Sequence, residues 1–312
     1  MENLVPFWLS QLLETVEYPA RSLDVLEVFS GMGRLHQAFQ ALGFAARGFD
    51  NRYNWQEDIS TFDGFMFLLL LILSIREGGL LWLGPPCSWW IFLSHSNHQR
   101  DANNTWSGDI RNRRVLKANH IVSAAGALIR LAISRLVQVV VEQPLDSCMF
   151  NFPEMAKATR ALPYRGIVTY LAAFDPNFPC PKPLQLWGSC SWLRQLRRTK
   201  PNGHQTSEDV YSRTVDGQIT GGRALANTSA YPAEFGAAVK ALQYVSCVCI
   251  SCDIIVYHVV CSTCGMQVAE AFCNSSSHQE VLSELRSIVR MWATVQLNYP
   301  SDTELFHWLN FS

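Results

Sequence analysis

Asp24-Val25-Leu26-Glu27-Val28-Phe29 followed by Ser30-Gly31-Met32-Gly33 is the stretch that decides the fold. The first six residues are apolar and β-branched enough for a buried strand, and the two glycines permit a sharp turn that other residues resist. Beyond the turn Leu35, Ala38, Phe39 and Leu42 recur at i, i+3, i+4 and i+7, the spacing of one helix face. Gly43 is a stop signal for that helix, and Ala45 to Phe49 reads as a second strand ending at Asp50. Strand, glycine turn, helix and strand make one βαβ unit, so the sheet is expected to be parallel.

Outward from this unit the alternation continues. Phe65 to Ile75 predicts a buried helix, broken by Gly78-Gly79 before a strand over Leu80 to Leu83. Gly84-Pro85-Pro86-Cys87 must be a loop, because consecutive prolines cannot stay in a ladder. A polar loop over 94–110 precedes a long helix, Val115 to Arg135, and then a β-branched strand, Leu136 to Val141, ended by Glu142-Gln143-Pro144. The order predicts an α/β, mostly parallel, doubly wound sheet with a core over 22–187 and a lead-in helix over 1–21. A small irregular region over 188–222 and a return helix over 223–245 follow. A C-terminal appendage over 246–312 is expected to hold a cysteine-rich hairpin and an amphipathic helix with Leu282, Leu285, Ile288, Val289 and Trp292 on one face.

Composition bounds what such a fold does. With 48% hydrophobic and 16% charged residues, the 312-residue chain can bury a sizeable core and is not a disordered polymer. A formal net charge of -1 supplies no global field for nucleic acid, so any such contact rests on local clusters. Two are visible: Arg111, Arg113, Arg114 and Lys117, then Arg194, Arg197, Arg198 and Lys200. The N-terminus lacks the pattern of a secretory signal, and the longest apolar run, Phe65 to Leu73, is too short to span a bilayer. The expectation is therefore an intracellular protein without a membrane partner, its ten cysteines mostly free thiols.

Several residues carry chemistry. Phe-Ser-Gly-Met-Gly lacks the third glycine of the dinucleotide fingerprint and the lysine of a P-loop, which disfavours both cofactor classes. Asp50 at the second strand's tip can accept both hydroxyls of a ribose, and Asp58-Ile59 falls where a third strand would deliver an adenine contact. Cys87 follows a buried strand directly, at the carboxyl edge where open α/β sheets bind ligands. Its reactive form is the thiolate, so a nucleophilic role requires nearby positive charge or a helix dipole. Glu142 ends an apolar strand at the same edge, where partial burial would raise its pKa and let it donate a proton. Cys249-x-x-Cys252 and Cys261-x-x-Cys264 have the knuckle spacing of a zinc ribbon, but only eight strand-like residues separate the pairs, so buried thiols are the favoured reading and no metal is assigned.

Val28 to Leu35, Phe49-Asp50, Asp58-Ile59, Leu-Gly-Pro-Pro-Cys-Ser over 83–88, Asp109-x-Arg111 and Glu142-Gln143-Pro144 occur in that order. Together they resemble the cytosine-C5 DNA methyltransferase family, and are most similar to the divergent methylase-like proteins of dinoflagellates. The resemblance spans roughly residues 22–245 and puts a very short target-recognition region at 188–222. It implies a Rossmann-like methyltransferase fold, S-adenosylmethionine as cofactor, a nuclear location and a nucleic-acid partner, DNA ahead of RNA. By position, Cys87 would add to C6 of a flipped cytosine and Glu142 would engage its N3. Phe29, Ser30, Gly31, Gly33 and Pro85 would line the cofactor, Glu27 would lie below its methionine end, and Asp50, Asp58 and Ile59 would fix the adenosine. The chain also departs from the family pattern. Glu142-Gln143-Pro144 replaces Glu-Asn-Val, both arginines of the Gln-x-Arg-x-Arg strand are missing near Lys182 to Trp187, and Ala237 replaces an asparagine. A methylase fold that binds nucleic acid without turnover, an RNA (tRNA) methylase and, more distantly, a cysteine hydrolase are the alternative readings.

Overall fold

The computed structural model describes residues 21–204, 211–213, 219–221 and 230–252. Six strands form one sheet: β1 (Leu23–Val28), β2 (Ala46–Phe49), β3 (Ile75–Leu83), β4 (Gln138–Pro144), β5 (Tyr164–Tyr170) and β6 (Pro183–Gly188). Their spatial order is β2-β1-β3-β4-β6-β5. The first four are parallel, whereas β6 lies antiparallel to both β4 and β5. A separate antiparallel pair joins β7 (Tyr211–Arg213) to β8 (Ile219–Gly221). The expected α/β class and mostly parallel sheet are both present.

The sheet is covered on both faces, which is why its central strands are apolar without alternation. On one face Leu26, Val28, Leu81, Leu83, Val139 and Val141 pack under α2 (Phe62–Leu73), α4 (Arg113–Ser134) and α5 (Pro153–Thr159). On the other, Val25, Leu80, Trp82 and Val140 meet α1 (Arg34–Gln40) and α6 (Ala233–Cys252). Gly236, 3.6 Å from the Ala38 Cβ by its own ideal Cβ, lets α6 lie close against α1. A short helix α3 (His95–His98) interrupts the loop between β3 and α4. Helix α4 is long and apolar enough to cross a membrane by length and composition alone, and most of it is buried inside the protein.

Several expected elements differ. Gly78-Gly79 do not end the helix. They lie within β3, which starts at Ile75 and bulges so that Leu23 pairs with Ile75 while Val25 pairs with Leu80. No third strand forms at Asp58-Ile59, because a 3-10 turn over Trp55–Glu57 runs into Asp58 and α2 starts at Phe62. Strand β4 continues through Glu142 to Pro144, since the antiparallel β6 extends its ladder (Glu142 pairs with Leu186) after β3 has ended. Residues 245–252, expected to open a strand pair, instead extend helix α6 to Cys252. The lead-in helix, the C-terminal amphipathic helix and the second cysteine pair lie outside the described residues.

Candidate active site

Chain order and spatial order diverge at β1. The chain leaves β1 for β2 on one side and arrives at β3 on the other, so a crevice opens between β1 and β3 at their carboxyl ends. Ligands bind at such switch points in open α/β sheets. Gly31, Gly33, Asp50, Cys87 and Glu142 all belong to segments at this edge, as expected from the sequence.

The turn after β1 is built from backbone that most residues avoid. Phe29, Gly31 and Gly33 have φ of 60°, 54° and 68°. The Phe29 amide donates to the Phe49 carbonyl at 2.8 Å, and the Gly31 amide to Asp50 Oδ2 at 2.8 Å. Asp50 Oδ1 accepts from the Arg52 amide at 2.9 Å. Each carboxylate oxygen keeps a further acceptor position, so Asp50 can still receive ribose hydroxyls. The Tyr53 hydroxyl donates to the Gly31 carbonyl, placing a phenol beside the turn that sequence reading missed.

Asp58 is more fully committed. Its Oδ1 accepts from the Ser60 amide and hydroxyl at 2.9 and 2.6 Å, and its Oδ2 pairs with Lys117 Nζ at 3.1 Å. Burial works against its charge, but Ser60 and Lys117 prevail and hold the carboxyl below its usual value. Ile59 is a core residue. Both residues therefore shape the edge of the crevice rather than projecting from a strand tip.

Two acids lie on the α6 face of the sheet. Glu27 on β1 is 1% exposed; its Oε2 accepts from the His36 amide and ring at 2.9 and 2.8 Å, while its Oε1 is buried with no partner. Glu142 Oε1 accepts from the Tyr231 hydroxyl at 2.9 Å, which itself accepts from the Trp82 indole at 3.1 Å; Glu142 Oε2 is buried without a partner. Burial raises the Glu142 pKa and Glu27 adds to the rise, with Lys182 and Tyr231 opposing it. Ser30 Oγ is also buried and unpartnered. His36, Tyr231 and Lys182 carried no sequence signal of their own. Only Lys182 fell inside a segment of interest, the one in which the family arginines are missing.

Cys87 is tied into this arrangement through its loop. The Gly84 amide donates to the Val28 carbonyl at 3.1 Å, and the Trp90 amide to the Cys87 carbonyl at 2.8 Å. Gln143, 1% exposed, donates to the Pro85 carbonyl at 2.6 Å and accepts from the Ser147 hydroxyl at 2.9 Å. A side chain at Gly84 would bring its Cβ within 2.9 Å of Glu142 Oε1, so only glycine lets the loop lie against that acid. Burial, reinforced by the Glu142 charge, pushes the thiol up to about 11, with Lys182 acting in the opposite direction. The thiol is thus protonated near neutral pH, contrary to the expectation of an environment that lowers it.

The basic clusters separate. Arg111, Arg113, Arg114 and Lys117 open α4 at the carboxyl edge. The segment bearing Arg194, Arg197 and Arg198 follows β6, whose direction is reversed; Ser189 bonds to Val139 at 2.9 Å, at the start of β4. The segment therefore leaves the sheet at the edge opposite Cys87, where Arg194 lies 5.1 Å from the Tyr164 ring centre, and then runs back along the α6 face until Arg198 lies 5.2 Å from the ring centre of Phe174, beyond the carboxyl-edge end of β5. Among the described residues no group of three or more His, Cys, Asp or Glu side chains could hold a metal ion. No protein-family model and no curated protein matches the chain.

Proposed function

We propose that the chain has a Rossmann-like methyltransferase fold and methylates C5 of cytosine in DNA from S-adenosylmethionine, with Cys87 as nucleophile and Glu142 as acid. The observation that carries this reading is the meeting, at one switch point, of a thiol loop and a buried acid whose second oxygen has no partner. The residues fit a cationic, adenosine-bearing ligand. Phe29, Gly31 and Gly33 leave backbone open to close approach, and Asp50 keeps acceptor capacity for a ribose. The unpartnered Glu27 Oε1 and Ser30 Oγ offer an acceptor and a hydroxyl to an amino-acid moiety. Pro85, Asp58 and Ile59 shape the walls. When bound, the cofactor supplies an electrophilic methyl group whose destination is C5.

In this reading the raised pKa of Glu142 equips it to carry a proton, and its geometry says where. Oε1 is taken by Tyr231, so the proton resides on Oε2 and is delivered to N3 of the base. A neutral Glu142 also removes the charge that opposes the thiolate. The Cys87 thiol gives its proton to solvent, and the thiolate sulfur bonds to C6 as the C5–C6 electrons shift through the ring and N3 takes the proton from Glu142. After C5 is alkylated, its proton passes to solvent, Cys87 leaves C6 as the thiolate, and N3 returns its proton to Glu142, which restores the aromatic ring.

Covalent trapping on DNA containing 5-fluorocytosine tests the reading, because fluorine cannot leave C5 as the proton does. An adduct that requires the cofactor, vanishes in Cys87→Ser and forms about a hundredfold more slowly in Glu142→Gln is the expected result. Asp50→Ala should weaken calorimetric cofactor binding by about 1.5–3 kcal/mol. The second reading, a binding module without turnover, draws on the thiol held at about 11 and on the Gln185, Leu186 and Trp187 that occupy β6 where arginines are missing. Cofactor binding without any adduct on DNA or RNA would establish it.

A further inference from the structure

Eight large hydrophobic side chains are exposed among the described residues, and six of them lie on segments at one edge of the sheet. Met32 follows β1, Tyr53 and Trp55 follow β2, Phe92 and Ile110 lie between β3 and α4, and Leu145 follows β4. Single exposed apolar residues are ordinary on any surface; their concentration on the loops around one crevice is not. Trp55 and Phe92 are the most exposed, at 78% and 75%.

Contacts link these loops into one rim. The Tyr53 hydroxyl reaches Gly31, Asp58 just past Trp55 pairs with Lys117 of α4 at 3.1 Å, and Asn112 at the α4 cap donates to Asn97 at 3.4 Å. The Phe92 and His95 ring centres lie 6.3 Å apart, and the loop that carries Phe92 also carries Cys87. The rim carries exposed guanidinium groups as well. Arg34, Arg52, Arg113 and Arg114 are exposed and make no ion pair among the described residues, while the exposed carboxylates there include Asp63 and Asp146.

We infer that this rim is a stacking edge for an unpaired DNA strand, which it leads across the mouth of the Cys87 crevice. The inference rests on the methyltransferase reading for its choice of DNA. Aromatic rings interleaved with guanidinium groups hold single strands by stacking on base faces and pairing with phosphates. A duplex keeps its base faces covered, so it would use the arginines and leave the rings in water. A second copy of the chain would bring like charges together across the same rim, which disfavours self-association.

Fluorescence anisotropy on the cofactor-free, full-length Cys87→Ser protein tests this with a short labelled DNA strand, its blunt duplex and the matching RNA strand. The DNA strand should bind about tenfold more tightly than the duplex, and Trp55→Ala or Phe92→Ala should each weaken it roughly fivefold or more while leaving duplex binding unchanged. Arg113→Gln combined with Arg114→Gln should flatten the log–log salt slope for the strand by about 1.4. Tighter binding of the duplex, indifference to both ring substitutions, or a dimer in sedimentation that Phe92→Ala dissolves would each overturn the inference. Tighter binding of the RNA would overturn the assignment to DNA. Loss of strand preference with trapping intact defeats only the stacking edge. Strand binding without trapping supports that edge and defeats the chemistry.

Discussion

Glu142 and Cys87 illustrate how two ordinary side chains change character through burial and mutual charge. The acid is raised by burial, the thiol is raised by burial and by the acid, and Lys182 opposes both shifts. Glu142→Gln should therefore lower the pH midpoint for alkylation of Cys87, followed peptide by peptide in a mass spectrometer, and Lys182→Met should raise it. An unmoved midpoint in both variants would show that burial alone sets the thiol. The same acid makes stability depend on pH. Its folded pKa exceeds the ordinary value of 4.5, so between the two values the native state holds a proton that the unfolded chain has released. Its contribution is intact below 4.5 and declines as pH rises through that window. Melting temperatures of the native chain should fall relative to Glu142→Gln over this range; parallel curves would contradict the assignment.

Single elements are held in place by buried polar clamps. Gln143 bolts the Pro85 carbonyl to the Ser147 loop, so Gln143→Ala leaves a buried carbonyl unpaired at a cost of about 1–3 kcal/mol. Hydrogen exchange across 84–88 should quicken more than exchange in β4 itself; uniform change would mean the clamp is not local. Arg100 does the same for the loop before α4. It is 2% exposed, stacks 3.5 Å over Trp90, and donates to the Trp89, Trp106 and Ser107 carbonyls and to Asn119 at 2.7, 2.7, 3.1 and 2.6 Å. A lysine ammonium cannot span that fork of acceptors. Arg100→Lys should lose on the order of 3 kcal/mol in urea unfolding, and a near-native midpoint would refute the clamp.

Across the whole molecule the reversed strand β6 carries the chain away from the Cys87 edge, so that the two arginine clusters lie on different surfaces. Arg113 and Arg114 share an edge with Cys87, whereas the segment bearing Arg194 and Arg198 starts at the other edge and runs back along the α6 face to Phe174. Neutralising Arg197 and Arg198 together should leave the salt dependence of DNA binding unchanged, whereas the Arg113 and Arg114 pair should alter it. The reverse result in a salt titration would place the DNA over the α6 face. Arg194 and Arg198 have other work, lying 5.1 and 5.2 Å from the Tyr164 and Phe174 ring centres.

Periodicity and punctuation determined much of this protein by themselves. The βαβ start, the glycine turn, the buried helix before β3, the prolyl loop at Cys87 and the long helix before β4 are all local patterns, because apolar spacing and turn residues act over a few positions. They were enough to bring Gly31, Asp50, Cys87 and Glu142 to one edge. Strand β5 and the reversed insertion of β6 were not legible, since pairing partners distant in sequence select them. The bulge at Gly78-Gly79 had the same origin, in register with β1, whereas the missing third strand at Asp58 follows from local caps, Asn54 on the 3-10 turn before it and Thr61 on α2 after it. Tertiary structure alone brought Tyr231 and Lys182 beside Glu142, laid the second arginine cluster along the α6 face, and raised the Cys87 thiol. Burial and charge proximity depend on distances through space, and no spacing along the chain encodes them.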